Sequence, residues 1–199
     1  MLLLTAGCAI GVASADQAQQ LAPGQVLRGQ FIQERVLTGF SAPLKTTGNF
    51  VLAPGKGLIW QALKPFAVTT VMTAEGISQK NGNVELLNLP ASKAPFLARL
   101  YDILGGALAG DQQPLERFFD VKRNEDVGGW HLVLTARPNA GAEALAFKEI
   151  RIDGSRFVDH VMIEKDNGDR DQLTFADQIL DGVPLSAEEA QLLASVGQQ

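Results

Sequence analysis

The chain has 199 residues, 46% hydrophobic and 20% charged, with 22 acidic residues against 17 basic ones. That length suits one domain with a substantial core, and the composition excludes both a disordered chain and, without a long apolar run, a polytopic membrane protein. Lys and Arg are outnumbered and scattered, so the basic stripe of a nucleic-acid binder is missing and no nucleic-acid partner is expected.

Residues 1–15 read as a signal peptide. Leu2, Leu3 and Leu4 open an apolar stretch that runs to Val12, and Ala13-Ser14-Ala15 forms a small-residue cleavage site before Asp16, although no Lys or Arg precedes the stretch. Export is expected, with residues 16–199 as a single mature domain. Cleavage there removes Cys8, the only cysteine, leaving neither a disulfide nor a Cys-ligated zinc to stabilise the mature protein. Thr5-Ala6-Gly7-Cys8 offers an alternative: small residues flank the cysteine as they do where bacteria cut before a lipid-modified cysteine. An acylated Cys8 would tether the protein to a membrane.

Strands are expected at 26–37, 46–53, 58–63 and 67–73, punctuated by Gly39, Pro43, Pro54-Gly55, Gly57 and Pro65. A hairpin follows, with strands at 76–80 and 83–87 and Asn81-Gly82 supplying positive φ at both central positions of its turn. From Pro95 the pattern changes. Phe96, Leu97, Leu100, Leu104, Ala107 and Leu108 recur at three- and four-residue spacing, which predicts an amphipathic helix over 95–109 whose last turn Gly105-Gly106 weakens. A further helical turn is expected at 114–118.

A second β block occupies 119–123, 130–137, 144–152, 157–165 and 172–179. Trp130, Leu132 and Leu134 share one face of their strand; Phe157, Val161 and Ile163 share another, interrupted by Asp159 at the in-phase position. Ser186-Ala187-Glu188-Glu189 is a capping box opening a final helix through Leu192, Leu193 and Val196. About ten strands are too many for one flat sheet. The fold expected is mainly β with α (α+β), a strongly curved antiparallel sheet or incomplete β-barrel covered by short helices, with an interior able to hold a ligand.

Catalytic chemistry finds little purchase. The two histidines, His131 and His160, lie outside any nucleophile motif, and a strand histidine is far more often structural or at the surface. Asp166-Asn167-Gly168-Asp169-Arg170-Asp171 spaces its carboxylates like part of a calcium loop but lacks the terminal glutamate, and reads as a solvated hairpin. Gly55-Lys56-Gly57 lacks the rest of a phosphate loop. No enzyme, metal site or cofactor is expected; a hydrolase would need a carboxylate or hydroxyl grouped with His131 or His160 in a deep pocket.

One stretch is distinctive: Phe31-x-Gln33-x-Arg35, then Gly48-x-Phe50, Pro54, Gly57-Leu58-Ile59-Trp60 and Lys64-Pro65. In order and spacing it resembles the amino-terminal half of the LolA-type periplasmic carriers of outer-membrane lipoproteins, and the Asp-Asn-Gly turn with Leu173-Thr174-Phe175 resembles the family's last hairpin. The resemblance implies an unclosed barrel covered by helices, with an apolar cavity for acyl chains. It implies a monomeric periplasmic protein that takes lipid or acylated lipoprotein cargo from an inner-membrane donor to an outer-membrane acceptor. With Cys8 acylated, the alternative is a tethered LolB-like receptor or lipid-sensing module. Two departures stand out. Ala53 occupies the place where the family has an arginine that helps latch its lid, and only Asp16–Ala22 precedes Pro23-Gly24 where the family opens with a long helix. Both favour lipid over lipoprotein as the word for the cargo.

Candidate cavity residues on the strands are Phe31, Phe50, Leu52, Leu58, Trp60, Phe66, Val71, Leu132, Leu134 and Val161; the covering helix adds Phe96, Leu100 and Leu104. For any one of them, ordinary core is an equal reading. Gln33 and Arg35 share the face of Phe31, so they either form a polar rim to the cavity or turn that whole face toward solvent.

Overall fold

Alternating apolar runs broken by Gly, Asn and Asp turns fold into one antiparallel sheet, seen in a computed structural model that describes residues 19–93, 96–138, 147–180 and 182–197. The expected leader at 1–15, with Cys8, lies outside the described residues. The first block contributes β1 (Leu27–Val36), β2 (Leu44–Ala53), β3 (Gly57–Lys64), β4 (Val68–Thr73), β5 (Gly76–Asn81) and β6 (Val84–Pro90). Helices α1 (Phe96–Ala109) and α2 (Gln113–Glu116) follow, then β7 (Phe119–Asp126), β8 (Gly129–Ala136), β9 (Phe147–Gly154), β10 (Val158–Lys165), β11 (Arg170–Ile179) and α3 (Ala187–Ala194).

The order across the sheet is β6-β5-β4-β3-β2-β1-β11-β10-β9-β8-β7. The first and last strands therefore meet at the centre, pairing Phe31 with Phe175, Gln33 with Leu173 and Arg35 with Asp171. The edges are β6 and β7, consecutive in the chain and joined through α1 and α2. The sheet is not closed. It is nevertheless strongly curved, because side chains of β5 and β8, far apart in sheet order, line one cavity together with α1.

Period-2 alternation sorts the side chains onto two faces. The inner face carries the main core, in which Phe31, Phe50, Leu52 and Leu58 of the first block meet Trp130, Leu132, Leu134, Ile152 and Phe175 of the second. The outer face carries a smaller cluster of Val26, Val51, Ala53, Ile59 and Val71, covered by Leu192, Leu193 and Val196 of the C-terminal segment. α3 is fixed there by its sequence. Ser186 Oγ accepts from the Glu189 amide at 3.1 Å, the Glu189 carboxylate accepts from the Ser186 amide at 2.7 Å, and the Arg28 guanidinium clamps that carboxylate at 2.8 and 3.2 Å.

Two local details differ from the sequence expectation. Asn81 stays in β5 and pairs with Val84, so the hairpin turn centres on Gly82-Asn83, with positive φ at Gly82 (56°), and a register shift lies between Gln79 and Lys80. A bulge between Val158 and His160 accounts for Asp159, which leaves the alternation and accepts from the Ser155 amide at 2.9 Å. As expected, α1 runs through Gly105 and Gly106 to Ala109. A Cβ on Gly106 would press on the Asp111 carbonyl and the Pro114 ring, so the glycine lets α2 pack close.

Candidate functional site

A cavity of about 380 Å³ lies between the inner face and α1. Its apolar wall comes from Trp60, Met72 and Ile77 on one side, Leu134, Ile150, Ile152, Val161 and Ile163 on the other, and Leu173 and Phe175 between; Ile103, Leu104, Ala107 and Leu108 of α1 roof it. That volume falls within the range of roughly 300–1,000 Å³ typical of small-molecule sites. Leu21, in the segment ahead of β1, is buried in the same core, and its amide donates to the Ala109 carbonyl at the end of α1. On α1, burial first and then the neighbouring Asp102 push the pKa of the Tyr101 hydroxyl up.

Trp60 belongs to an aromatic cluster. Phe31 stacks on it with centroids 3.8 Å apart, Phe175 meets it edge-on at 6.1 Å, and Phe50 meets Phe175 edge-on at 5.5 Å. This packing explains the glycine in Gly48-x-Phe50. A Cβ at Gly48 would strike the Gln61 carbonyl oxygen and crowd the Phe31 ring, so only glycine admits β3 and the stack at this distance.

At the mouth the wall turns polar. Asp171, 4% exposed, accepts from Arg35 Nε at 2.7 Å and Gln33 Nε2 at 3.2 Å on one oxygen, and pairs with Lys165 Nζ at 3.0 Å through the other. Burial works to raise the Asp171 pKa, but the hydrogen bonds from Arg35 and Lys165 outweigh it and hold the carboxyl below the ordinary aspartate value. Gln33 and Arg35 thus form a polar rim, and the Phe31 face points inward. Asp166, Asn167 and Gly168 of the acidic segment are exposed as expected, and Asp169 accepts from the Thr38 amide, whereas Asp171 is buried. No cluster of His, Cys, Asp or Glu suited to a metal occurs among the described residues.

The structure distributes the sequence candidates unevenly. Trp60, Leu104, Leu134 and Val161 line the cavity. Phe31, Phe50, Leu52 and Leu58 are buried in the core on the same face, and Leu132 sits under the α1–α2 turn beside Leu115. Val71 faces the other way, into the outer cluster under α3, because its neighbours Thr70 and Met72 hold the inward positions of β4. Phe66 stands in the β3–β4 turn, 77% exposed, outside the sheet pleat, and does not reach the cavity. The side chains of Phe96 and Leu100 lie outside the described residues. Ala53 packs in the outer cluster, on the face away from α1.

Sequence reasoning missed Phe175, Leu173 and Ile163, although the alternation of β10 and β11 could have supplied them, and missed Asp171, whose partners Arg35 and Gln33 are distant in the chain, together with the Lys165 that pairs with it. Both histidines occupy positions out of phase with the cavity-lining residues. His131 Nδ1 stands 2.6 Å from Asp153 Oδ1, and its Nε2 forms an ion pair with Asp126 at 3.3 Å without hydrogen-bond alignment; the bond to Asp153, then the contact with Asp126, raises its pKa. Among the described residues, the His160 side chain has one hydrogen-bond partner, Thr174, at 3.4 Å.

No curated protein sequence matches the chain. Among solved structures, a LolA superfamily protein from Nitrosomonas europaea superposes with a TM-score of 0.46 and 10% identity, over 85% of this chain and 91% of that one. The MucA/MucB complex of Pseudomonas aeruginosa superposes with a TM-score of 0.44 and 13% identity, over 84% of this chain and 55% of that one. A family model described as outer membrane lipoprotein carrier protein LolA-like matches residues 6–177. That match spans both β blocks and the helices between them, and the chain belongs to the LolA-like family.

Proposed function

We propose that this protein is a periplasmic carrier that takes the acyl part of a lipid or lipoprotein into the cavity beneath α1 and moves it between the inner and outer membranes. The observation that carries the reading is the cavity itself: a wall of aliphatic and aromatic side chains from both halves of an unclosed sheet, roofed by one amphipathic helix. Burial of an alkyl chain there gains about 0.8 kcal/mol per methylene, with no catalytic group required. Family membership supports the same class of cargo. Export would follow from removal of residues 1–15, leaving 16–199 as one domain, and a purified periplasmic form whose amino terminus is Asp16 is the expected result of intact-mass measurement.

Native mass spectrometry of the purified protein tests the cavity. The wild type should retain an acylated molecule. Leu134→Arg, which places a charge in a fully buried wall position, should abolish retention. Ala107→Trp, which fills the space from the helix side, should do so without burying a charge. Undiminished retention in both variants while the circular dichroism stays native would sink the assignment.

A further inference from the structure

Three charged side chains line the cavity among its described residues: Arg35, Lys165 and Asp171. Two cations share one carboxylate, so the mouth carries a net positive charge on a wall otherwise apolar apart from Gln33, Thr70 and Gln79. Asp171 is nearly sealed, whereas the side chains of Arg35 and Lys165 are 45% and 25% exposed. Arg35 spends only its Nε on Asp171; among the described residues its remaining guanidinium N–H groups make no protein hydrogen bond. Among the described residues, Lys165 pairs its ammonium with Asp171 alone. The carboxylate therefore holds both cations in place from behind while their other donors stay available at the mouth. Next to these donors, Ile163 and Leu173 begin the apolar wall, and Trp60 continues it.

We infer that the cavity selects an amphiphile with an anionic headgroup, a carboxylate or a phosphate, whose oxygens bind Arg35 and Lys165 while a single alkyl chain runs inward along Ile163, Leu173 and Trp60. This rests on the carrier reading above and narrows its cargo. Guanidinium and ammonium groups match carboxylate and phosphate oxygens, and at a partly desolvated mouth such charge-assisted bonds discriminate strongly against a neutral headgroup. A cationic headgroup would meet repulsion. The volume of about 380 Å³ suits one chain.

The test compares three probes with the same tail, palmitate, palmitoyl-lysophosphatidate and monopalmitoylglycerol, each titrated below its micelle concentration and followed by intrinsic tryptophan fluorescence. Wild-type protein should bind at least one anionic probe about tenfold or more tightly than the neutral one, the scale of a single charge-assisted hydrogen bond. A preference for palmitate would identify a free fatty acid, and one for lysophosphatidate a phospholipid headgroup. Arg35→Gln and Lys165→Gln each leave Asp171 one cation and should each narrow the gap. The triple variant Arg35→Gln, Lys165→Gln, Asp171→Asn should erase it while monopalmitoylglycerol still binds, and Asp171→Asn alone should widen it. Equal affinities for all three probes, or a preference that survives in the triple variant, would overturn the headgroup assignment and leave the cavity standing. Failure of every probe to bind would overturn both.

Discussion

Gly48 shows how one position without a side chain sets the inner face. Its missing Cβ admits the Gln61 carbonyl and the Phe31 ring, which in turn lies on Trp60. Gly48→Ala should force β2 and β3 apart locally and cost roughly 1–3 kcal/mol, read as a lower urea midpoint. Asp171 gives a second residue-scale expectation. Its folded-state pKa is below the unfolded one, so its contribution is complete above the unfolded value near 3.8 and is lost as pH falls through the folded value. Denaturation midpoints measured down the acid limb should drop more steeply for wild type than for Asp171→Asn. His131 works in the opposite sense: its raised pKa makes its pairing stabilising below the ordinary histidine value, and that is lost as pH rises through the folded value. In Asp153→Asn, which removes the largest cause, the imidazole resonances should titrate at lower pH.

Among the elements, α3 depends on a few named contacts rather than on a large apolar face, since none of the residues in the helix itself is buried. Ser186→Ala should cost about 1 kcal/mol and raise amide exchange across α3, while the strands beneath keep their protection. This helix was legible in the chain because a capping box is local: both partners lie within four residues. The strand identities were legible for the same reason, through alternation and turn residues. What alternation alone cannot show is phase. Val71 was expected in the cavity because it is apolar and in a strand, but Thr70 and Met72 hold the inward positions. By strict alternation Asp159 interrupts an apolar face, and the bulge between Val158 and His160 takes it out of phase. Asp171 read as a member of a solvated turn because its partners Arg35 and Gln33 are more than a hundred residues away, a proximity created only by the pairing of first strand with last.

The whole molecule is organised by that pairing. Because β1 joins β11 at the centre, the two β blocks share one core, and neither buries its inner face alone. Unfolding should therefore be a single cooperative event. The chain supplies its own reporters, Trp60 in the first block and Trp130 in the second. Single-tryptophan variants Trp60→Phe and Trp130→Phe should give coincident urea transitions; separated midpoints would show the halves to be independent. The central pairing also brings together residues distant in the chain, which slows folding relative to a protein of local contacts.

The same topology has a mechanical consequence. The strands at the two free edges of the sheet, β6 and β7, are consecutive in the chain, and the segment that links them carries the helix roofing the cavity. In a closed barrel the girth is set by strand number and shear; here it is set as a bow is set by its string. Flattening the sheet draws its edges apart and pulls on both ends of the span that carries α1, while a helix displaced outward takes up that span and draws the edges together. A ligand that widens the cavity is therefore expected to shift α1 as well, read as a change in amide exchange in both α1 and the edge strands.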